Sequence, residues 1–478
     1  MPFVRAVAPL FEAQWRRIPS ALRLVLGLVV LIIVGTLLLM LPTAGQGDAL
    51  TFDEAVFTAV SALTVTGLSI ITPINDLSVF GQVLLLCLIQ IGGVGFMVLA
   101  VFVLRLLGRR VSVYDRLTLS DSLGLMSPAA ILKVSQRMIL VVLALEALGA
   151  FALWLHWRQD PRLSAEQALF FALFHAVSAF CNAGFDLFTG LPGYPEGLPR
   201  DNLTLSILGA LIVVGGLGIP VLTDLLTYPV YRRISLHTRL TLLAVLTLIV
   251  IGGVGIFLAE SRVGSVLADR PLGERLIKSF FQSISARTAG FAGVADFAAL
   301  TPATQVLMTA LMFIGCAPAS MGGGITTGTA VTLVLGIWAF ARGEEVAVFG
   351  RRTLAVGTVR KAAVILTIAL LTVTLASWLI LMTHDTTMEK AVFEVVSAFA
   401  TCGLTLNFTT ELNAFGRFII MLMMFWGRLG ALTIVVAVAR QARPVQRLVK
   451  YPEEQILIGG GRGAGGGASS ARDPYVTV

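Results

Sequence analysis

Long apolar stretches broken by short polar ones run through the chain from end to end. Sustained apolar segments of about 20 residues are long enough to cross a ~30 Å hydrocarbon core as helices. They fall at 22–42, 79–107, 131–155, 203–227, 239–259, 303–340, 361–382 and 415–439. The pattern predicts an all-α polytopic membrane protein with eight spans. The first apolar stretch starts late, is long and leucine-rich, and has no small-residue cleavage site, so it reads as a span and not as a removable leader.

Four shorter helix-forming segments interrupt this pattern, and each runs into a lone glycine: "SALTVTGLSI" from Ser61, "SAFCNAGFDL" from Ser178, "SARTAGFAGV" from Ser285 and "SAFATCGLTL" from Ser397. Ten positions before Gly67, Gly184, Gly290 and Gly403 stand Phe57, Phe174, Phe280 and Phe393, and 24 to 31 positions after them stand Gly92, Gly215, Gly315 and Gly427. The glycines are 117, 106 and 113 residues apart. Regularity on this scale marks an internal repeat: four units of outer helix, short helix, glycine and second helix. Thr51 with Glu54, Ser164 with Gln167, and Thr386 with Glu389 fit capping boxes at the starts of the short helices, and Pro271 suits a first helical position in the third.

A helix of about 12 residues is too short to span a bilayer, so each short helix dips in and is followed by extended backbone. Such backbone is tolerated at membrane depth only when it is buried in protein or lines a wet cavity. Four segments around one axis would present a ring of carbonyl oxygens able to replace the hydration shell of a potassium-sized cation. The glycine lets one carbonyl per unit turn inward at φ values that a Cβ penalises.

Composition agrees: 56% of residues are hydrophobic and 13% charged, against about 25% charged in soluble domains. Of the 35 Lys and Arg, 24 fall at the two ends and between Arg105 and Arg137, Arg232 and Arg239, and Arg342 and Lys361, all on one side of the predicted topology. Ten lie on the other side, and Arg428 lies within a span. Both termini are therefore expected in the cytoplasm. The net charge of +8 reflects this bias and calls for no nucleic-acid partner. Cys87, Cys181, Cys316 and Cys402 have no metal-ligand spacing. The chain carries no nucleotide-binding glycine motif.

At these residues the sequence resembles the potassium transporter superfamily of bacterial Ktr and Trk pore subunits and the plant and fungal HKT and Trk proteins. "TVTGL", "CNAGF", "RTAGF" and "TCGLT" match its four filter segments in order, over about residues 20 to 459. The likeness is greatest to the Ktr pore-forming membrane subunit (KtrB-like), because only a short segment precedes the first span and "YPEEQILIG" resembles a Ktr C-terminus. The organisation expected is a cytoplasmic segment 1–21, pore repeats at 22–107, 131–227, 239–340 and 361–439, a cytoplasmic segment 440–459, and a disordered Gly/Ser-rich tail 460–478.

The resemblance implies that Gly67, Gly184, Gly290 and Gly403 are filter glycines, with Val65, Thr66, Asn182, Ala183, Thr288, Ala289, Thr401 and Cys402 supplying further carbonyls to potassium. Glycine at all four positions favours potassium; relatives with Ser at the first often favour sodium. The resemblance also implies a gate made of an intramembrane loop, "GCAPASMGGGITTG" from Gly315 to Gly328, and of Arg428. Gly322, Gly323, Gly324 and Thr326 belong to this loop, and Thr326 and Thr327 stand where many relatives carry Lys. Arg287 is expected to pair with an acid behind the pore.

Further implications are a homodimer in the plasma membrane, a separate cytoplasmic nucleotide-binding ring (KtrA/TrkA-like), and no cofactor in this chain. Potassium is the substrate, with sodium as an activator whose site no residue here marks. The competing readings are a sodium-permeable or alternating-access cation transporter. An enzyme is disfavoured: the four histidines, His156, His175, His237 and His384, are scattered and lack a partnered acid.

Overall fold

A computed structural model describes residues 20–95, 131–344, 346–349 and 352–430. The N-terminal segment, the 105–137 basic cluster up to residue 130, the ends of the 79–107 and 415–439 stretches, and everything from residue 431 lie outside them. Apart from a single turn at Pro73–Asp76, the helices in chain order are α1 (Ser20–Leu39), α2 (Phe52–Thr64), α3 (Val79–Val94), α4 (Ile131–Trp157), α5 (Ala165–Phe180), α6 (Asn202–Gly216), α7 (Ile219–Tyr231), α8 (Leu236–Glu260), α9 (Leu272–Ser285), α10 (Pro302–Ile314) and α11 (Thr327–Ala341). A small antiparallel hairpin of β1 (Val348–Phe349) and β2 (Arg352–Thr353) precedes α12 (Val356–Thr383), α13 (Met388–Ala400) and α14 (Ala414–Leu429).

The same order occurs four times: outer helix (α1, α4, α8, α12), short helix (α2, α5, α9, α13), extended segment, second helix (α3, α6, α10, α14). Met138–Trp157, Leu236–Glu260 and Val356–Thr383 are each long and apolar enough to cross a membrane. Their outward faces carry large apolar side chains in the open, among them Leu148, Leu258 and Leu371, each more than 60% exposed. Such surface is at home in lipid and a liability in water.

Several expectations need correction. The 203–227 stretch is two helices, α6 and α7, meeting at 97°, because Gly218 takes φ +83° and Pro220 cannot continue the α6 hydrogen-bond ladder. The break expected from Gly315 to Gly328 ends sooner, since α11 already begins at Thr327. The capping boxes of α2 and α5 are present with both bonds made. That of α13 is not: its cap is Thr387, bonded to the Lys390 amide, one residue later than predicted. Pro271 sits at the cap of α9 and not at its first helical position.

The third unit also departs from the expected register. The buried ring of α9 is Phe281, not Phe280. The amides of Thr66, Ala183 and Cys402 reach back five residues to the carbonyls of Ser61, Ser178 and Ser397, while Ala289 reaches back four to Ser285. Unit three is thus one residue short between its helix and its glycine, and the ten-residue count lands on Phe280 only by ignoring that gap.

In units one, two and four the second helix and the short helix pack backbone to backbone, whereas Gly315 of unit three lies against the Gly323 carbonyl of its own loop. A methyl group on Gly92, Gly215 or Gly427 would lie 2.4, 1.8 or 1.9 Å from the carbonyl oxygen of Leu63, Phe180 or Phe399, each four residues before its unit's key glycine. A Cβ has no room there and the obstacle is backbone, which yields little. Gly427→Ala is expected to lose about 1–3 kcal/mol or more through overpacking, read as a lowered Tm of the detergent-solubilised protein; an unchanged Tm would show that this contact is not tight.

Candidate ion pathway

The four short helices end in the same way. The residue two before each key glycine adopts a left-handed conformation: Val65 (φ 58°), Asn182 (59°), Thr288 (71°) and Thr401 (52°). The glycines follow at φ 86°, 69°, 79° and 92°. For β-branched Val and Thr such angles are costly and persist only where surroundings enforce them.

These segments close into a ring. A methyl group on Gly67 would lie 2.1 Å from the Ala183 carbonyl oxygen; on Gly184, 2.7 Å from that of Ala289; on Gly290, 2.5 Å from that of Cys402; and on Gly403, 2.1 Å from that of Thr66. Each unit therefore abuts the next, and the fourth returns to the first. Val65, Thr66, Asn182, Ala183, Thr288, Ala289, Thr401 and Cys402 are fully buried, while the four glycines alone keep partial exposure. The short helices direct their C-terminal, partially negative ends toward this ring, a field that favours a cation.

Four serines brace the ring, a role that the sequence reading missed although each quoted stretch begins with one. Ser61 Oγ accepts from the Gly67 amide at 3.0 Å and Ser397 Oγ from the Gly403 amide at 3.1 Å. Ser178 Oγ donates to the Phe185 carbonyl at 2.9 Å and Ser285 Oγ to the Phe291 carbonyl at 2.6 Å. At the outer rim Arg417 of α14 bonds Asp53 of α2, tying the fourth unit to the first.

The loop from Gly315 lies against one side of the ring. A methyl group on Gly322 would collide with Thr288 Oγ1 and one on Gly323 would lie 2.7 Å from Thr401 Oγ1, so only glycine lets the loop come this close. Gly324 (φ 83°) and Thr326 (φ 65°) turn the chain back into α11. Bonds from Ala317 to the Gly216 carbonyl (3.2 Å), Ile219 to the Ala319 carbonyl (3.0 Å) and Thr327 to the Cys316 carbonyl (2.8 Å) pin the loop to the α6–α7 bend and to itself.

Arg428 spans the space beside it, donating to the Met321 carbonyl of the loop, to the Gly92 carbonyl of α3, and to that of Gly93 at 3.3 Å. Arg287 corrects the expectation made for it: among the described residues it pairs with no acid, and it donates instead to the Gly315 carbonyl at 3.2 Å, at the start of the same loop. Outside the spans, Arg162 bonds Asp160 at 2.6 Å and holds its carboxyl well below the usual carboxylate range.

A closed ring of buried backbone at the ends of four short helices, inside an apolar helical bundle, defines a multi-pass membrane protein. The family described as "TrkH: Cation transport protein" matches residues 21–447, and the chain belongs to that family. It is 34% identical to "Ktr system potassium uptake protein B" of Bacillus subtilis (strain 168), over 93% of this chain and 98% of that one. It is likewise 34% identical to the protein of the same name from Vibrio alginolyticus, over 86% and 89%, and to "Potassium/sodium uptake protein NtpJ" of Enterococcus hirae, over 91% and 96%. The fold is similar to that of the potassium transporter TrkH from Vibrio parahaemolyticus, with a TM-score of 0.69 at 20% identity, covering 88% of this chain and 84% of that one. This is a transport family, and the chain is not an enzyme.

Proposed function

We propose that this protein takes up potassium across the plasma membrane through a selectivity filter formed by Val65–Gly67, Asn182–Gly184, Thr288–Gly290 and Thr401–Gly403, driven by the membrane potential. The observation that carries the reading is the closed ring, in which each glycine meets the carbonyl of the next unit. Two left-handed residues per segment turn successive carbonyls toward a common axis, where they can stand in for water around an ion. The names of the relatives support potassium as the cargo.

On this reading the four units are pore repeats, eight spans place both termini in the cytoplasm, and Arg428 with the Gly315–Thr326 loop is the gate. The subunit dimerises and is regulated by a separate nucleotide-binding ring. A sodium-permeable pore is the second reading, favoured by the potassium/sodium relative.

The test is rubidium uptake into proteoliposomes holding the purified protein, with potassium and sodium as competitors. Strong competition by potassium and weak competition by sodium is expected. Equal competition would favour the sodium-permeable reading, and no uptake above empty liposomes would sink both.

A further inference from the structure

One row of side chains behind the ring has no role so far. The residue after the buried phenylalanine of each short helix is Thr58, His175, Gln282 and Glu394, with the one-residue gap of unit three taken into account. All four are essentially buried. Three of them reach across to the backbone stretch that leaves the ring on its outer side.

Glu394 makes the strongest link. Its Oε2 accepts from Thr405 Oγ1 at 2.7 Å and its Oε1 from Thr409 Oγ1, and Thr405 Oγ1 in turn accepts from the Phe408 amide at 3.1 Å. Thr405 stands two residues beyond Gly403. In unit two the same pair of positions holds His175 and Asp186, 2.9 Å apart, so this histidine, like His156 at 3.0 Å from Asp201, has an acid partner contrary to expectation; Asp186 also accepts from the amides of Phe188 and Thr189. In unit three Gln282 Oε1 accepts from the Gly293 amide at 2.8 Å. In unit one the link is missing: among the described residues Thr58 Oγ1 has no partner, and Ser69, two beyond Gly67, turns onto the Ile71 carbonyl at 2.7 Å.

We propose that this row forms braces that fix the outer end of each filter segment, and that Glu394 is a positioning residue for potassium-over-sodium discrimination. The inference rests on the filter reading above. A serine already holds each segment close to its glycine, so its freedom lies on the outer side, where a ring that relaxes inward would fit a smaller dehydrated ion better. Glu394 opposes that movement because displacing Thr405 or Thr409 would strand a buried carboxyl oxygen, which is expensive. Units two and four, opposite each other in the ring, carry the two links that involve an acidic side chain. Unit one, without a link, is the compliant quarter.

The experiment measures sodium inhibition of rubidium uptake in proteoliposomes for Glu394→Val, Glu394→Gln, Thr405→Val and Thr58→Val, with Gly67→Ser alongside. Glu394→Val and Thr405→Val are expected to lose selectivity on the order of tenfold, the effect of one buried hydrogen bond. Glu394→Gln, which keeps an acceptor, should stay within about threefold of wild type. Thr58→Val removes no bond and should change nothing. Wild-type selectivity in Thr405→Val overturns the brace even if Glu394→Val fails to fold, and so does a Thr58→Val shift as large as that of Thr405→Val. A purely structural role would lower yield and flux for every cation and leave the sodium-to-rubidium ratio alone, which also overturns it. If Gly67→Ser is silent as well, the filter reading itself has failed; if Gly67→Ser shifts selectivity and the brace variants do not, only the brace has.

Discussion

Arg428→Gln raises maximal cation flux, by an expected factor on the order of ten if about 1.4 kcal/mol of barrier is lost, with selectivity nearly unchanged. On the proposed reading the guanidinium lies beside the ion path, where it would repel cations, and a charge at membrane depth is tolerated only with partners. Here those partners are three carbonyls, and they belong to two elements: Met321 of the loop, and Gly92 and Gly93 of α3. Glutamine removes the charge and can replace at most part of this set. The loop then loses its anchor on the α14 side while keeping those on the α6–α7 bend. Deleting Met321–Gly324, which takes away the loop's acceptor, should raise flux in the same way, and the two changes together should give much less than the product of their effects, because each removes one partner of one contact. Rubidium influx at matched protein density is the measurement. Equal flux in wild type and Arg428→Gln would sink the gate assignment.

The second large effect is expected at Gly67. Gly67→Ser should cut potassium-over-sodium discrimination by roughly tenfold. At φ +86° any side chain is strained, and its Cβ would overlap the Ala183 carbonyl. Relief requires that carbonyl or Gly67 itself to move, which opens the ring at the junction of units one and two. Ser61 holds the Gly67 amide, but among the described residues Thr58 supplies no outer link to restore the position. Sodium inhibition of rubidium uptake reads the change, and unaltered selectivity in a well-folded variant would remove Gly67 from the ion path.

Much of this was legible because it is written locally. A hydroxyl with an acid or amide three residues on starts a helix, and a glycine after a short helix ends it, so α2 and α5 could be placed from their own residues. Four copies in order then implied a ring. What escaped depends on contacts between distant parts of the chain. The acceptors of Arg428 lie 107 and 336 residues away, and the Arg287 guanidinium has a carbonyl where charge alone suggested an acid. The α6–α7 bend was hidden inside one apolar run, since hydropathy does not register backbone direction. The one-residue gap in unit three was hidden by Phe280 and Phe281 standing side by side, where only burial distinguishes them.

The closure of the ring also bears on how the protein is made. Phe57 of α2 packs in the same buried cluster as Phe393, Phe399 and Phe408, Gly403 abuts the carbonyl of Thr66, and Asp53 is bonded by Arg417. Every one of these partners is synthesised more than 300 residues after the element it completes. During translation α2 must therefore wait in the membrane with its inner face unmatched while two further units are inserted, and the last quarter to leave the ribosome is the one that seals the first.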